Sequence, residues 1–141
     1  MKKYVAGFMF SSDKSEVLLV EKMSPEWQRG LLNGIGGKIE GGETPLEAII
    51  REFAEETGVE TTTADWTEVV YYIRQNVYEV HFYKTFTDQI YSAVIKEKEV
   101  ITKFKSDNLP LNVVSNLNWL IPLCLDDDIN LTSPILVLDR N

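Results

Sequence analysis

One segment of the chain, Gly37 to Val59, constrains its fold and function more than any other. The middle of this segment carries the start and stop signals of an α-helix. Thr44 is a favourable N-cap, Pro45 suits the first helical position, and Glu47 is placed to complete a capping box. Gly58 can end the helix in the left-handed conformation. The segment therefore predicts one helix with both ends marked.

The two faces of this predicted helix differ in chemistry. On one face, residues recur at helical spacing and form a stripe that should pack on the protein core: Leu46, Ile49, Ile50, Phe53 and Thr57. At about 100° per residue, three carboxylates gather beside that stripe: Glu52, Glu55 and Glu56. Arg51 relieves part of their repulsion, and the remaining charge suits hard divalent cations, which take oxygen ligands. For these glutamates alone, a solvated acidic face is the simpler interpretation.

The loop before the helix favours a functional site. Five glycines lie within nine residues, at positions 34, 36, 37, 41 and 42. This density lets the backbone approach a ligand closely, and a loop that leads into a helix N-terminus is a place where anions bind. The combination of a glycine-rich loop, a capped helix and clustered carboxylates therefore indicates a metal site beside a bound phosphate.

The spacing of these residues resembles the signature of the Nudix hydrolase family. Its fixed positions are met by Gly37, Glu43, Arg51, Glu52, Phe53, Glu55, Glu56, Gly58 and Val59. The one departure is the aromatic Phe53, where an aliphatic residue is usual. The context of the motif is most similar to MutT-like pyrophosphohydrolases of purine nucleoside triphosphates. The resemblance implies an α/β fold, namely an α/β/α sandwich with a mixed β-sheet and the signature loop-helix-loop beside it.

The resemblance also implies a metal site for Mg²⁺ or Mn²⁺. Its carboxylate ligands would be Glu52, Glu55 and Glu56, and a backbone carbonyl of Gly36 or Gly37 would add an oxygen. Within the signature, Glu55 or Glu56 would hold any function as a general base.

Other roles implied by the resemblance lie around that metal site. Arg51 would orient the carboxylates, Glu43 would brace the loop through Arg51, and Gly58 would give structural support. A further ligand or base outside the signature is common in the family, and Glu99 is the preferred candidate, with Glu97 second. An exposed acidic turn is the alternative for both.

Substrate contacts are implied by the run Asn33 to Lys38, which resembles hydrolases of oxidised purine nucleoside triphosphates. Asn33 would contact the base, and Lys38 would meet a phosphate. Those relatives carry paired aspartates before the last helix, whereas this chain has Ser115 and Asn116, followed by Trp119. Asn116 and Trp119 are predicted to contact the substrate, and oxidised-purine specificity stays open.

The predicted activity is metal-dependent hydrolysis of a pyrophosphate bond in a nucleoside triphosphate, giving a monophosphate and pyrophosphate. The alternatives within the enzyme class are ADP-ribose, dinucleoside polyphosphates and capped RNA ends. A nucleotide-binding regulatory Nudix module and a carboxylate-rich structural protein are the alternatives outside it. The intact set of signature glutamates favours the enzyme.

Length and composition set the remaining expectations. The 141 residues predict a single domain, 1–141, with a core of its own. The net charge of −8 argues against a stable nucleic-acid partner or an anionic membrane surface. No signal peptide or membrane span is apparent, which predicts a cytoplasmic protein, as monomer or homodimer. The single cysteine, Cys124, lies in an apolar run and is expected to be a buried structural thiol.

Hydrophobic patterning predicts seven strands and a second helix. The strands cover residues 4–10, 16–22, 31–38, 65–74, 77–87 and 100–105, with a short one at 135–138. The helix is predicted over Ser115 to Leu125, with Ser115 as N-cap and Pro122 as a complication. His81, in an alternating strand, is expected to be structural, and Trp27 to be a packing anchor rather than the border of a base site.

Overall fold

The computed structural model describes residues 1–95 and 99–140, so the Glu97 candidate lies outside the described residues. The described strands are β1 (Lys2–Phe10), β2 (Glu16–Glu21), β3 (Leu32–Asn33), β4 (Ile35–Lys38), β5 (Thr67–Arg74), β6 (Tyr78–Phe86), β7 (Ile101–Lys105) and β8 (Ile135–Asp139). The described α-helices are α1 (Pro45–Thr57) and α2 (Leu117–Leu125). Short 3₁₀ helices occupy Glu26–Gln28 and Asp88–Ser92.

The strands form one mixed sheet in the order β3-β2-β1-β6-β5-β8, with β4 added on β1 and β7 on β2. The β1–β6 and β5–β8 pairs are parallel, and the other pairs are antiparallel. Strand β1 is central because it pairs with β2, β4 and β6. It therefore links β4, which contains Gly36 and Gly37, to the rest of the sheet.

Side chains of β1 alternate between the two helices, as the two-residue period of a strand requires. Phe8 and Phe10 pack in the cluster that contains α2, whereas Val5 and Met9 pack in the cluster that contains α1. The sheet is thus covered by one helix on each face, and the predicted α/β/α sandwich with a mixed sheet is confirmed.

Helix α1 begins and ends where its local signals predict. Glu47 N donates to the Thr44 hydroxyl at 3.1 Å, and Thr44 N donates to a Glu47 carboxylate oxygen at 2.9 Å, which completes the capping box. Gly58 ends the helix with φ of 75°. On the buried face, the Phe53 ring lies 4.7 Å from the Trp66 ring, centroid to centroid. Caps and packing together fix the position of the glutamates on the opposite face.

Two predicted elements differ in the structure. The strand expected over 31–38 is broken at Gly34, since β3 pairs with β2 and β4 pairs with β1. A side chain at Gly34 would meet the Phe8 ring at 2.8 Å, so only glycine fits where the chain changes partner. Ser115 is not the N-cap of the second helix, because α2 starts at Leu117 with Asn116 before it and continues through Pro122.

Candidate active site

Arg51 joins the glycine loop to the carboxylates of α1. Its Nε and Nη2 atoms donate to the two carboxylate oxygens of Glu43, at 2.6 and 2.9 Å. Its Nη1 atom donates to Glu52 at 3.0 Å and to Glu55 at 3.2 Å. Nη2 also donates to the backbone carbonyl of Lys38, at 3.1 Å. One guanidinium thus holds both ends of the loop and brings two predicted metal ligands to the same nitrogen.

The carboxylates around Arg51 differ in electrostatic environment. The hydrogen bond from Arg51 holds the pKa of Glu43 below its usual range, so Glu43 is a firmly ionised brace. Burial raises the pKa of Glu52, and the hydrogen bond from Arg51 offsets this only in part. The Glu52 side chain is 12% exposed, against 50% for Glu55. A desolvated carboxylate next to further acids gains more from a bound cation than an exposed one does.

Gly36 and Gly37, predicted in the loop, lie in β4, where the lack of side chains lets the backbone lie directly against its neighbours. A Cβ at Gly36 would lie 1.9 Å from the carbonyl oxygen of Val5, so the β1–β4 pairing admits no side chain there. A Cβ at Gly37 would lie 2.5 Å from Oε1 of Glu52. The Glu52 carboxylate therefore fills the space that a side chain of Gly37 would occupy.

The donors at this point are the right kind for a hard divalent cation. Glu52, Glu55 and the loop backbone supply carboxylate and carbonyl oxygens, the ligands preferred by Mg²⁺. Glu56 follows on α1, half-buried, with its Oε2 atom buried. Within residues 1–95 and 99–140, no group of three or more acidic, histidine or cysteine side chains is arranged to hold a metal ion by side chains alone. The oxygen donors fit such an ion, because the missing side chain at Gly37 leaves room for the Glu52 carboxylate and Arg51 holds Glu52 and Glu55 in place.

A cavity of about 490 Å³ opens on the α2 side of the sheet and reaches the same loop. Its floor comes from β1, β4, β5 and β6, and its rim from the loop around the first 3₁₀ helix and the start of α2. It brings together four of the predicted site residues: Asn33, Gly36, Gly37 and Asn116. Trp27 also lines it and is 62% exposed, so it borders the cavity instead of anchoring the core.

Amide groups supply much of the polar lining of this cavity. Asn33 Nδ2 donates to Gln28 at 3.1 Å, and Asn33 Oδ1 accepts from Gly34 N at 2.8 Å. These two bonds fix the orientation of the Asn33 amide. The Oδ1 atom of Asn116 is buried and has no hydrogen-bond partner in the described part of the chain.

Three predicted site residues lie elsewhere. Lys38 lines a separate open groove with Lys2 and Lys3, beside the glycine loop. Trp119 is 41% exposed on α2 and is not among the residues that line the cavity. Glu99 accepts from Met23 N at 2.9 Å and lies 3.5 Å from the ammonium of Lys22.

Sequence reasoning missed the aromatic wall of the cavity. Tyr4, Tyr72, Tyr78 and Phe82 come from three strands and share one sheet face. The Tyr72 and Tyr78 rings stack at 6.4 Å, and the Tyr72 hydroxyl donates to Asp139 on β8 at 2.6 Å. Alternation within each strand shows which of its side chains share a face. It does not show which strands are neighbours, so the sequence alone could not bring these four rings together.

The two residues expected to be structural have structural contacts. His81 Nδ1 lies 2.9 Å from a Glu68 oxygen, and the imidazole stacks on Tyr71. Cys124 is 1% exposed, and burial raises the pKa of its thiol to about 12. The thiol is therefore uncharged and a poor nucleophile near neutral pH.

A family model for the NUDIX domain matches residues 1–114. The chain belongs to the Nudix family and is a Nudix hydrolase, a class whose general reaction is hydrolysis of a pyrophosphate bond. Family members generally use divalent metals and small nucleotide substrates. A comparison with curated proteins found no match. Within the described residues, no helix is long and apolar enough to cross a membrane.

Solved structures with the same fold are MutT and Nudix proteins. A MutT protein from Bacillus halodurans is 20% identical with a TM-score of 0.69, and the match covers 99% of this chain and 90% of that one. A MutT structure from work on Aliivibrio salmonicida and Vibrio cholerae is 22% identical with a TM-score of 0.67, covering 87% and 96%. A MutT/Nudix protein from Enterococcus faecalis is 17% identical with a TM-score of 0.63, covering 74% of this chain but only 43% of that one. At these identities the likeness concerns the fold.

Proposed function

We propose that this protein hydrolyses a nucleoside triphosphate to a nucleoside monophosphate and pyrophosphate, with Mg²⁺ or Mn²⁺ as cofactor. The observation that carries the proposal is the Arg51 hub, which fixes Glu43, Glu52, Glu55 and the Lys38 carbonyl around one guanidinium. This hub adjoins Gly36 and Gly37, which also line the cavity. Because these two residues have no side chains, the phosphates of a nucleotide in the cavity could approach the carboxylates that Arg51 holds.

The cation would be held by Glu52, Glu55 and Glu56, with a backbone carbonyl of Gly36 or Gly37. When bound, a divalent ion neutralises charge on phosphate oxygens and lowers the pKa of a coordinated water. Arg51 positions the carboxylates, and Glu43, kept ionised by its two hydrogen bonds, positions Arg51. Any function as a general base within the signature is assigned to Glu55 or Glu56.

The nucleoside would occupy the cavity, with Asn33 and Asn116 as its polar contacts. Trp27 and the tyrosines of the wall offer aromatic faces on which a base can stack. Lys38 is exposed at the end of β4 and would meet a distal phosphate as a point charge. Glu99 contacts the cavity residue Lys22, so we assign it a positioning role at the cavity rim and not a place in the cation site.

A nucleotide panel tests the proposal. Purine and pyrimidine nucleoside triphosphates, ADP-ribose and a dinucleoside polyphosphate are each incubated with the protein and Mg²⁺, and products are identified by chromatography. Monophosphate and pyrophosphate from a triphosphate are expected. Cleavage of ADP-ribose alone would refute the triphosphate assignment.

A pair of matched variants tests the site itself. Glu55→Gln keeps the shape of the side chain but removes its charge, and activity should fall by more than the roughly 10- to 100-fold typical of losing an outer-shell partner of a metal site. Glu60→Gln makes the same chemical change at another exposed glutamate, just beyond the end of α1, and should leave activity unchanged. Equal activity in the two variants would contradict the assignment.

A further inference from the structure

Asn116 precedes α2 without the usual function of an N-cap side chain. An asparagine at this position normally accepts a hydrogen bond from a backbone N–H of the first turn. Here the side chain makes no capping bond, and only the backbone carbonyl accepts, from the N–H groups of Trp119 and Leu120. The side chain instead lines the cavity, with Oδ1 buried and without a hydrogen-bond partner in the described residues.

A buried acceptor in this state has lost its hydrogen bonds to water and gained none from the protein, which is unfavourable. The cost is recovered if a ligand in the cavity brings an N–H or O–H group to Oδ1. Helix capping does not use the Asn116 side chain, so a ligand in the cavity can supply the partner of its Oδ1 atom. Asn116 is therefore suited to select ligands by the donor they carry.

The rest of the cavity is lined by amide, ammonium and hydroxyl groups and by no carboxylate among the described residues. The Asn33 oxygen is already used by the Gly34 N–H, and the Gln28 oxygen is used by Asn33. Their amide nitrogens and the ammonium of Lys22 can only donate. A ligand that fits should thus present acceptors to these nitrogens and a donor group to the buried Oδ1 atom of Asn116.

We infer that the cavity selects an amino-substituted base, adenine or cytosine, whose exocyclic amino group donates to Asn116 Oδ1. Such a base has a single amino group beside ring nitrogens that accept, which matches the polar lining. The corresponding oxo bases, hypoxanthine and uracil, present an oxygen at that position, which would face Oδ1. The inference deepens the proposed function and rests on it only in placing the nucleotide in this cavity.

Binding of nucleoside monophosphates tests the inference without requiring catalysis. Titration calorimetry compares AMP with IMP and CMP with UMP, since each pair differs by an amino or an oxo group. The amino member of at least one pair should bind at least about tenfold more tightly, as expected for one buried hydrogen bond. The pair that shows the preference identifies the base. Equal or tighter binding of the oxo members, or no binding of any of the four, would overturn the inference.

A variant assigns the preference to Asn116. Asn116→Leu keeps the approximate size of the side chain and should reduce the amino preference to less than about threefold. Asn118→Leu, on the exposed side of the same helix, should keep it. Equal weakening of both members of a pair in Asn116→Leu would contradict the assignment. The comparisons of AMP with IMP and of CMP with UMP on the unmodified protein need no variant and decide whether the cavity prefers an amino base if Asn116→Leu does not fold.

These readouts separate the inference from the proposed function. An amino preference that depends on Asn116, in a protein that cleaves no nucleotide, would uphold the inference and refute the proposed hydrolysis. Hydrolysis of triphosphates with no preference for an amino base would uphold the proposed hydrolysis and refute the inference.

Discussion

Replacing Gly37 by alanine should disable the site while leaving the fold intact. The added Cβ would lie 2.5 Å from Glu52 Oε1, whereas ordinary contact begins near 3.4 Å, so the carboxylate must move by roughly 0.9 Å. A misplacement of about 1 Å can lower a reaction rate by about 100-fold. Gly37 does not have a positive φ, so alanine adds no backbone strain. We therefore expect kcat to fall about 100-fold with stability changed by no more than about 1 kcal/mol.

Two neighbouring glycines provide matched controls. Gly41→Ala meets no atom within 4 Å and should keep both activity and stability. Gly36→Ala would place its Cβ 1.9 Å from the backbone oxygen of Val5, and should cost roughly 3 kcal/mol or more, because the strand pair must separate. The assays are steady-state hydrolysis of a triphosphate and urea denaturation. Full turnover by Gly37→Ala, or a loss of stability equal to that of Gly36→Ala, would refute the reasoning.

Three further changes test the support of the site and the core. Arg51→Lys loses the bidentate hydrogen bonds to Glu43, so activity should fall about 10- to 100-fold and the rate should respond more weakly to Mg²⁺. The rate is measured as a function of Mg²⁺ concentration, and an unchanged dependence would argue against the role of Arg51. Phe53→Ala removes a fully buried ring that packs on Trp66 and should lower the free energy of unfolding by about 3–5 kcal/mol, measured by urea denaturation. A loss below about 1 kcal/mol would be inconsistent with this packing. Cys124, with its thiol pKa raised to about 12 by burial, should resist alkylation at pH 8.5 in the native protein and react once urea unfolds it. Because the folded pKa is raised, the unfolded thiol ionises first, and stability should fall as the pH rises from 9 towards 12; rapid native alkylation would contradict the burial.

The parts of the fold that local chemistry determines could be predicted from the sequence. Thr44, Glu47 and Gly58 act within one or two turns of the helix they terminate, so their effect does not depend on distant contacts. The hub at Arg51 was predicted in outline, since residues four apart on a helix are neighbours. Its link to the Lys38 carbonyl depends on how the loop folds back on the helix.

Features that depend on distant parts of the chain could not be predicted. The break at Gly34 follows from the approach of Phe8, which is remote in sequence. The aromatic wall requires the pairing of β1 with β6 and of β6 with β5, and no local pattern specifies that Tyr4, Tyr72 and Tyr78 meet. The separation of Trp119 from the cavity depends on the start of α2 and on its rotation against the sheet.

We propose that the carboxylates held on α1 by Arg51, beside Gly37, support metal-dependent cleavage of a pyrophosphate bond. Phosphorus NMR of a nucleoside triphosphate mixed with the protein follows that cleavage directly, with Mg²⁺ in one sample and a chelator in another. We predict that the resonances of a monophosphate and of pyrophosphate grow with Mg²⁺ and do not appear with the chelator. Equal hydrolysis in the two samples, or no cleavage of any nucleotide offered, would contradict the claim.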